Sequence, residues 1–183
     1  MFRRAFPCAV ALAAVLTIPS AARAEERAAF QGTHGYLGVT AGGGGGAGMA
    51  GGGGGGFGVF VGSVRGGLEI GRFQLDLDVV PLSSMYALSR VSPAIQVMAG
   101  PGVLIPISGR WSWPIRVQAG VGAFTDGGKA LFVGRADLVG VEHRIPLSGG
   151  FLSLEGDLGS RVLYDGSTFF LAWEGRVGVA YVF

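Results

Sequence analysis

The sequence predicts an all-β chain: a closed, antiparallel, eight-stranded transmembrane β-barrel with a polar, salt-bridged interior. Three observations carry that expectation. Eight segments alternate apolar and polar residues at the period of two that sends successive side chains to opposite faces of a strand. Charged residues inside those segments keep to a single parity. After the N-terminal leader there is no run of 18 or more apolar residues, so helical spans are excluded and alternating strands remain.

The leader comes off first. Arg3 and Arg4 form a positive n-region, Cys8 through Ile18 an apolar stretch, and Ala22-Arg23-Ala24 a small-x-small cleavage site. Residues 1–24 are therefore expected to be a secretory signal peptide. Arg3-Arg4 faintly resembles a twin-arginine signal, but a barrel must travel unfolded, which favours the general secretory route. Cys8 precedes the apolar stretch and is no lipoprotein anchor. Residues 25–32 are expected to be a short N-terminal segment and residues 33–183 the barrel.

Cleavage takes Arg3, Arg4 and Arg23 from fourteen basic residues and leaves eleven, against twelve acidic ones. The basic balance of the whole chain thus disappears. A nucleic-acid partner, which needs a clustered basic surface, is not expected. The single Cys leaves with the leader, so no disulfide framework or thiol chemistry is expected.

The eight segments lie near 33–41, 57–70, 73–81, 94–105, 111–124, 131–143, 151–163 and 168–183. Turn chemistry separates them. The connections after the second, fourth and sixth segments (Gly71-Arg72, Pro106 to Arg110, Arg144 to Gly150) form one set, expected to face the periplasm. The other set, Gly42 to Gly56, Leu82 to Pro93, Thr125 to Ala130 and Tyr164 to Ser167, is expected to face outward.

Parity assigns the faces. In the third segment Phe73, Leu75, Leu77 and Val79 oppose Gln74, Asp76 and Asp78. The fifth sets Trp113, Ile115, Val117, Ala119 and Val121 against Arg116 and Gln118. The seventh sets Leu152, Leu154, Leu158 and Val162 against Ser153, Glu155, Asp157 and Arg161. The second and sixth separate Arg65 with Glu69, and Arg135 with Asp137, from their apolar neighbours. A slip of one residue would push those charges into lipid, at roughly 2–4 kcal/mol for each Arg at the midplane. Glu142 alone fits poorly. The interior thus receives Arg65, Arg116, Arg135, Arg161 and Arg176, with Glu69, Asp76, Asp78, Asp137, Glu155, Asp157 and Glu174. Opposite charges in so narrow a lumen are expected to pair and to fill it. A water-soluble barrel would invert this arrangement.

Aromatic residues mark two girdles. Phe73, Trp111, Trp113, Tyr181 and Phe183 fall near one end, and Phe60, Phe132, Tyr164 and Phe169 near the other.

The last segment is the most telling. Phe169, Leu171, Trp173, Gly175, Val177, Val179, Tyr181 and Phe183 share one uncharged face, with Glu174 and Arg176 opposite. This run, ending on a terminal Phe, resembles the closing strand of a bacterial outer-membrane barrel. With the leader, alternation and girdles, the chain resembles the small eight-stranded outer-membrane barrels of Gram-negative bacteria, the class typified by the membrane domain of outer-membrane protein A. The resemblance implies an outer-membrane location and Tyr181 and Phe183 as a C-terminal insertion signal. It implies as partners the insertion machinery, periplasmic chaperones, outer-membrane lipid and lipopolysaccharide. It carries no specific ligand.

Motifs with chemical meaning are few. Gly42 to Gly56 holds twelve glycines in fifteen residues. It matches G-x-G-x-x-G in places, but no Lys-Ser/Thr and no helix follow, so a flexible outer loop is expected. His34 and His143 are isolated, and no metal-ligand cluster or cofactor site is expected. Asp126 and Asp165 precede glycines and read as turn residues instead of catalytic acids. Asp76 and Asp78 lie about 7 Å apart on one face, where a shared proton or a bound cation competes with simple ion pairing to Arg. The expected function is a non-enzymatic integral outer-membrane protein with an envelope-structural or surface-interaction role. A narrow channel for small solutes is the alternative, and a lipid-modifying enzyme a more remote one.

Overall fold

Gly71, Gly109 and Gly149 adopt positive φ at three tight turns on one end of the molecule, a backbone state that glycine enters without a Cβ clash. They join strands in a computed structural model that describes residues 30–50, 53–87 and 90–183; the expected leader lies outside the described residues. The strands are β1 (Thr33–Ala50), β2 (Gly53–Ile70), β3 (Phe73–Ala87), β4 (Arg90–Ser108), β5 (Trp111–Phe124), β6 (Ala130–Leu147), β7 (Gly150–Tyr164) and β8 (Phe169–Val182). Each pairs antiparallel with its sequence neighbours, and β8 pairs with β1, closing an eight-stranded barrel. Closure removes the sheet edges and satisfies the backbone within the wall, as lipid requires.

The register fixes the shape. Partners followed around the wall from Val39 run through Val64, Val79, Val97, Val121, Phe132, Tyr164 and Phe169. The path returns to β1 at Met49, ten residues beyond its start. For eight strands that stagger corresponds to a tilt of about 40°. Every residue on the path is exposed and uncharged. The wall's outward face is apolar apart from a few neutral polar side chains such as Ser160 and His143, with Leu68, Phe73, Leu75, Leu77, Val117, Leu158, Trp173 and Val177 among its most exposed residues.

Three sequence expectations are corrected. The run Gly42 to Gly56 is mostly strand: residues 42–50 belong to β1 and 53–56 to β2. A Cβ on Gly42, Gly44 or Gly46 would run into the carbonyl oxygens of Gly175, Trp173 or Leu171 on β8. Glycine is what lets β1 approach β8 and shut the barrel. Leu82 to Pro93 is likewise mostly strand, since β3 runs to Ala87 and β4 begins at Arg90.

The third correction concerns Glu142. A bulge at Leu138 places Leu138 and Val139 both outward and reverses the parity beyond them. Glu142 and Arg144, which alternation alone would have misplaced or left in a turn, therefore point inward and are buried. The indole N–H of Trp113 donates to the Leu138 carbonyl across 2.9 Å, occupying a group the bulge disturbs. A second bulge at Pro81, where β3 gains one residue on both neighbours, sends Pro81 and Leu82 outward together.

Candidate functional site: the barrel interior

The interior has three tiers. At the end that carries Thr33, Phe183 and the turns at Gly71, Gly109 and Gly149, residues 30–32 fold back under the wall. The Gly71 N–H donates to the Gly32 carbonyl at 2.8 Å. This tucks Phe30 inward, buried against Leu104 with Phe151 alongside. The guanidinium of Arg144 lies 4.8 Å from the centre of the Phe30 ring, a cation–π distance. Phe30 is a stopper that alternation could not reveal, because it precedes the first strand.

Above it lies an ion cluster built from β2, β3, β5, β6 and β7. Arg144 donates to Glu69 at 2.7 Å and to Glu142 at 2.8 Å. Gln74 links Glu69 to Arg116, donating to the first at 2.7 Å and accepting from the second at 3.1 Å. Arg65 and Arg116 both reach Glu155 Oε2, at 2.7 and 3.1 Å. Arg116 also faces Asp76 and Glu142, each at 3.6 Å. The Tyr36 hydroxyl donates to Asp76.

A second cluster follows. Arg161 grips Glu174 with two hydrogen bonds, of 3.1 and 3.0 Å, and also donates to Gln96. Arg176 donates to Glu174 at 2.9 Å and to Asp78 at 3.0 Å. Arg135 stands among Asp78, Asp137, Asp157 and Glu174 at 3.6, 2.8, 2.8 and 3.2 Å. All twelve charged residues that alternation assigns to the interior are buried, and they divide between these two clusters. Glu142 and Arg144 join the first. The signal for them was present in the adjacent apolar pair Leu138-Val139, the mark of a bulge. Asp76 and Asp78, neighbours on one face of β3, go to different clusters.

The tier at the far end is apolar. Phe57, Val59, Val61, Val80, Met85, Met98, Leu131, Val133, Leu163 and Ala172 form one buried cluster, with Phe124 and Phe170 packed against it. Phe57 and Phe170 meet edge to face at 5.9 Å, a favourable aromatic arrangement. The interior is thus more divided than a uniformly ionic lumen. Those on β2, β6, β7 and β8, with Val80 on β3, share parity with the interior charges of their own strands.

The remaining sequence candidates lie at the ends. Asp165 closes an Asx turn, accepting from the Ser167 and Thr168 N–H groups at 2.9 and 2.7 Å, and faces Lys129 at 3.5 Å. Desolvation pushes its carboxyl upward, but the N–H groups of Ser167 and Thr168, the Ser167 hydroxyl and Lys129 outweigh it and hold the group at about 2. Asp126 sits in the turn between β5 and β6. His143 packs on Trp111 with ring centres 4.3 Å apart. His34 contacts the Gln31 carbonyl at 2.9 Å. Phe183 exchanges backbone hydrogen bonds with Gly35, at 2.9 and 2.8 Å, and stacks on Tyr181 at 6.1 Å. No group of three or more metal-ligating side chains occurs among the described residues.

A closed eight-stranded barrel, apolar outside and ion-paired within, defines the class: a transmembrane β-barrel. No family model and no curated protein sequence matches the chain. Among solved structures it is similar to the crystal structure of Neisserial surface protein A, at 12% identity and a TM-score of 0.49, over 82% of this chain and 97% of that one. The fold itself stands on the strand pairing.

Proposed function

We propose that the chain is a non-enzymatic integral protein of the bacterial outer membrane, with an envelope-structural or surface-interaction role. One observation carries the reading: the interior is occupied from end to end. Phe30 stops one mouth, two ion clusters fill the middle, and an apolar cluster fills the far end. A solute path would need a continuous hydrated gap, and a reaction would need an accessible acid, base or nucleophile. The interior carboxylates and guanidinium groups are instead engaged with one another. The end bearing Thr33, Phe183 and the turns at Gly71, Gly109 and Gly149 faces the periplasm in this reading, and the glycine-rich β1–β2 hairpin faces outward. Outer-membrane lipid and lipopolysaccharide would then be the partners of the wall. The insertion machinery and periplasmic chaperones would be partners of the unfolded chain through Tyr181 and Phe183.

The test has two arms. The mature chain, refolded in lipid vesicles, should migrate differently on a detergent gel before and after boiling. In planar bilayers at neutral pH it should pass no ions. Discrete conductance steps would replace the structural reading with the narrow-channel one.

A further inference from the structure

The interior ions do not balance. Each cluster sets three guanidinium groups against four carboxylates; in the second they are Arg135, Arg161 and Arg176 with Asp78, Asp137, Asp157 and Glu174. None of the seven is exposed. The apolar cluster lies directly beyond them, so no bulk water offsets the extra negative charge from that side. An uncompensated charge in such a place is strongly destabilising.

The geometry shows which carboxylate is in excess. Arg135 Nη2 lies 2.8 Å from Asp137 Oδ1 and 2.8 Å from Asp157 Oδ1. It is aligned to donate to Asp157. Both oxygens of Asp137, a residue with 0% exposure, are left without any hydrogen-bond donor. Asp157 is faced by Arg65, Arg116, Arg135 and Glu155; the groups facing Asp137 are Arg116 from β5, Arg135 on its own strand, Asp157 from β7, Glu174 from β8 and Asp76 from β3. Three of those five are acidic. Two carboxylates crowded on one nitrogen, one of them without a donor, form an arrangement that takes up a proton.

We propose that this cluster is a proton-binding site, in which Asp137 and Asp157 hold one proton between them at neutral pH. The proton turns one carboxylate into a donor and brings the cluster to charge balance. The unfolded chain, whose aspartates ionise in the ordinary range near 4, releases it. The folded barrel therefore binds one proton more than the unfolded chain, and its stability falls as pH rises through the titration of the site.

Infrared spectra of the refolded barrel in vesicles, with isotope-labelled aspartate, test this directly. At neutral pH the wild type should show the C=O stretch of a protonated aspartic acid, and Asp137→Asn should lose it. The wild-type ratio of folded to unfolded protein should fall by up to tenfold per pH unit through the titration, and in Asp137→Asn it should stay level. If that variant does not fold, the wild-type spectrum and Asp157→Asn decide. Absence of the band at neutral pH overturns the proposal, as does its survival undiminished in both variants. A folded fraction that follows sodium or potassium concentration instead of pH also overturns it, by making the counter-charge a bound inorganic cation.

Discussion

The β1–β2 hairpin and the β6–β7 hairpin hold the same barrel shut by opposite means. In the first, the run from Gly42 to Gly56 offers almost no side chains, and its contribution is proximity. The inward glycines of β1 let the backbone of β8 come close enough to complete the ring. In the second, Arg135, Asp137, Glu142, Arg144, Glu155, Asp157 and Arg161 all face inward, and their contribution is charge. A wall without side chains tolerates no added atom at the seam. A wall of ions tolerates no missing partner.

The largest effect should come from adding an atom at the seam. Gly44→Val places a side chain against the Trp173 carbonyl of β8 and should abolish the heat-modifiable form on a detergent gel. Gly55→Ala, where nothing lies within 4 Å, should fold as the wild type does. Equal yields for the two would mean that the glycines are there for some reason other than closure. Next comes removal of an ion. Arg161→Met leaves Glu174 without its two-pronged partner and should cost roughly 3–5 kcal/mol in urea unfolding from vesicles.

A charge on the outside should cost somewhat less. Leu77 is exposed on the outward face of β3, and Leu77→Arg should lose roughly 2–4 kcal/mol by the same measurement. Trp113→Phe keeps the aromatic surface but removes the donor to the bulged Leu138 carbonyl, for about 0.5–1.5 kcal/mol. The smallest effect is at the rim that carries Asp165. The Asp165 carboxyl is held at about 2 when folded, below its unfolded value near 4. The stability from its turn is therefore complete above about pH 4 and fades as pH falls toward 2. Asp165→Asn should flatten that part of the acid-unfolding curve.

The same contrast explains what could be read in the chain. Strands whose faces differ in charge announce their inward side, which is why Arg65, Asp76, Arg116, Glu155 and Glu174 could be assigned by parity alone. Glycine has no face, so residues 42–56 resembled a loop although 42–50 and 53–56 are strand. Pattern also failed where it changed phase: one extra residue at Leu138 hid Glu142 and Arg144. The apolar far-end cluster was legible only by extending that parity: Val59 and Val61 fall in step with Arg65 and point inward, while Phe60 and Val64 point out, and hydrophobicity alone does not distinguish them.

The most direct measurement of which way the wall faces uses tryptophans the chain already has. Trp111, Trp113 and Trp173 all project from the exterior. Refolded in vesicles whose acyl chains carry bromine, the barrel should show strongly quenched tryptophan emission, with little further loss to a water-borne quencher. Emission untouched by bromine and suppressed from the aqueous phase would place those rings away from hydrocarbon and contradict the account.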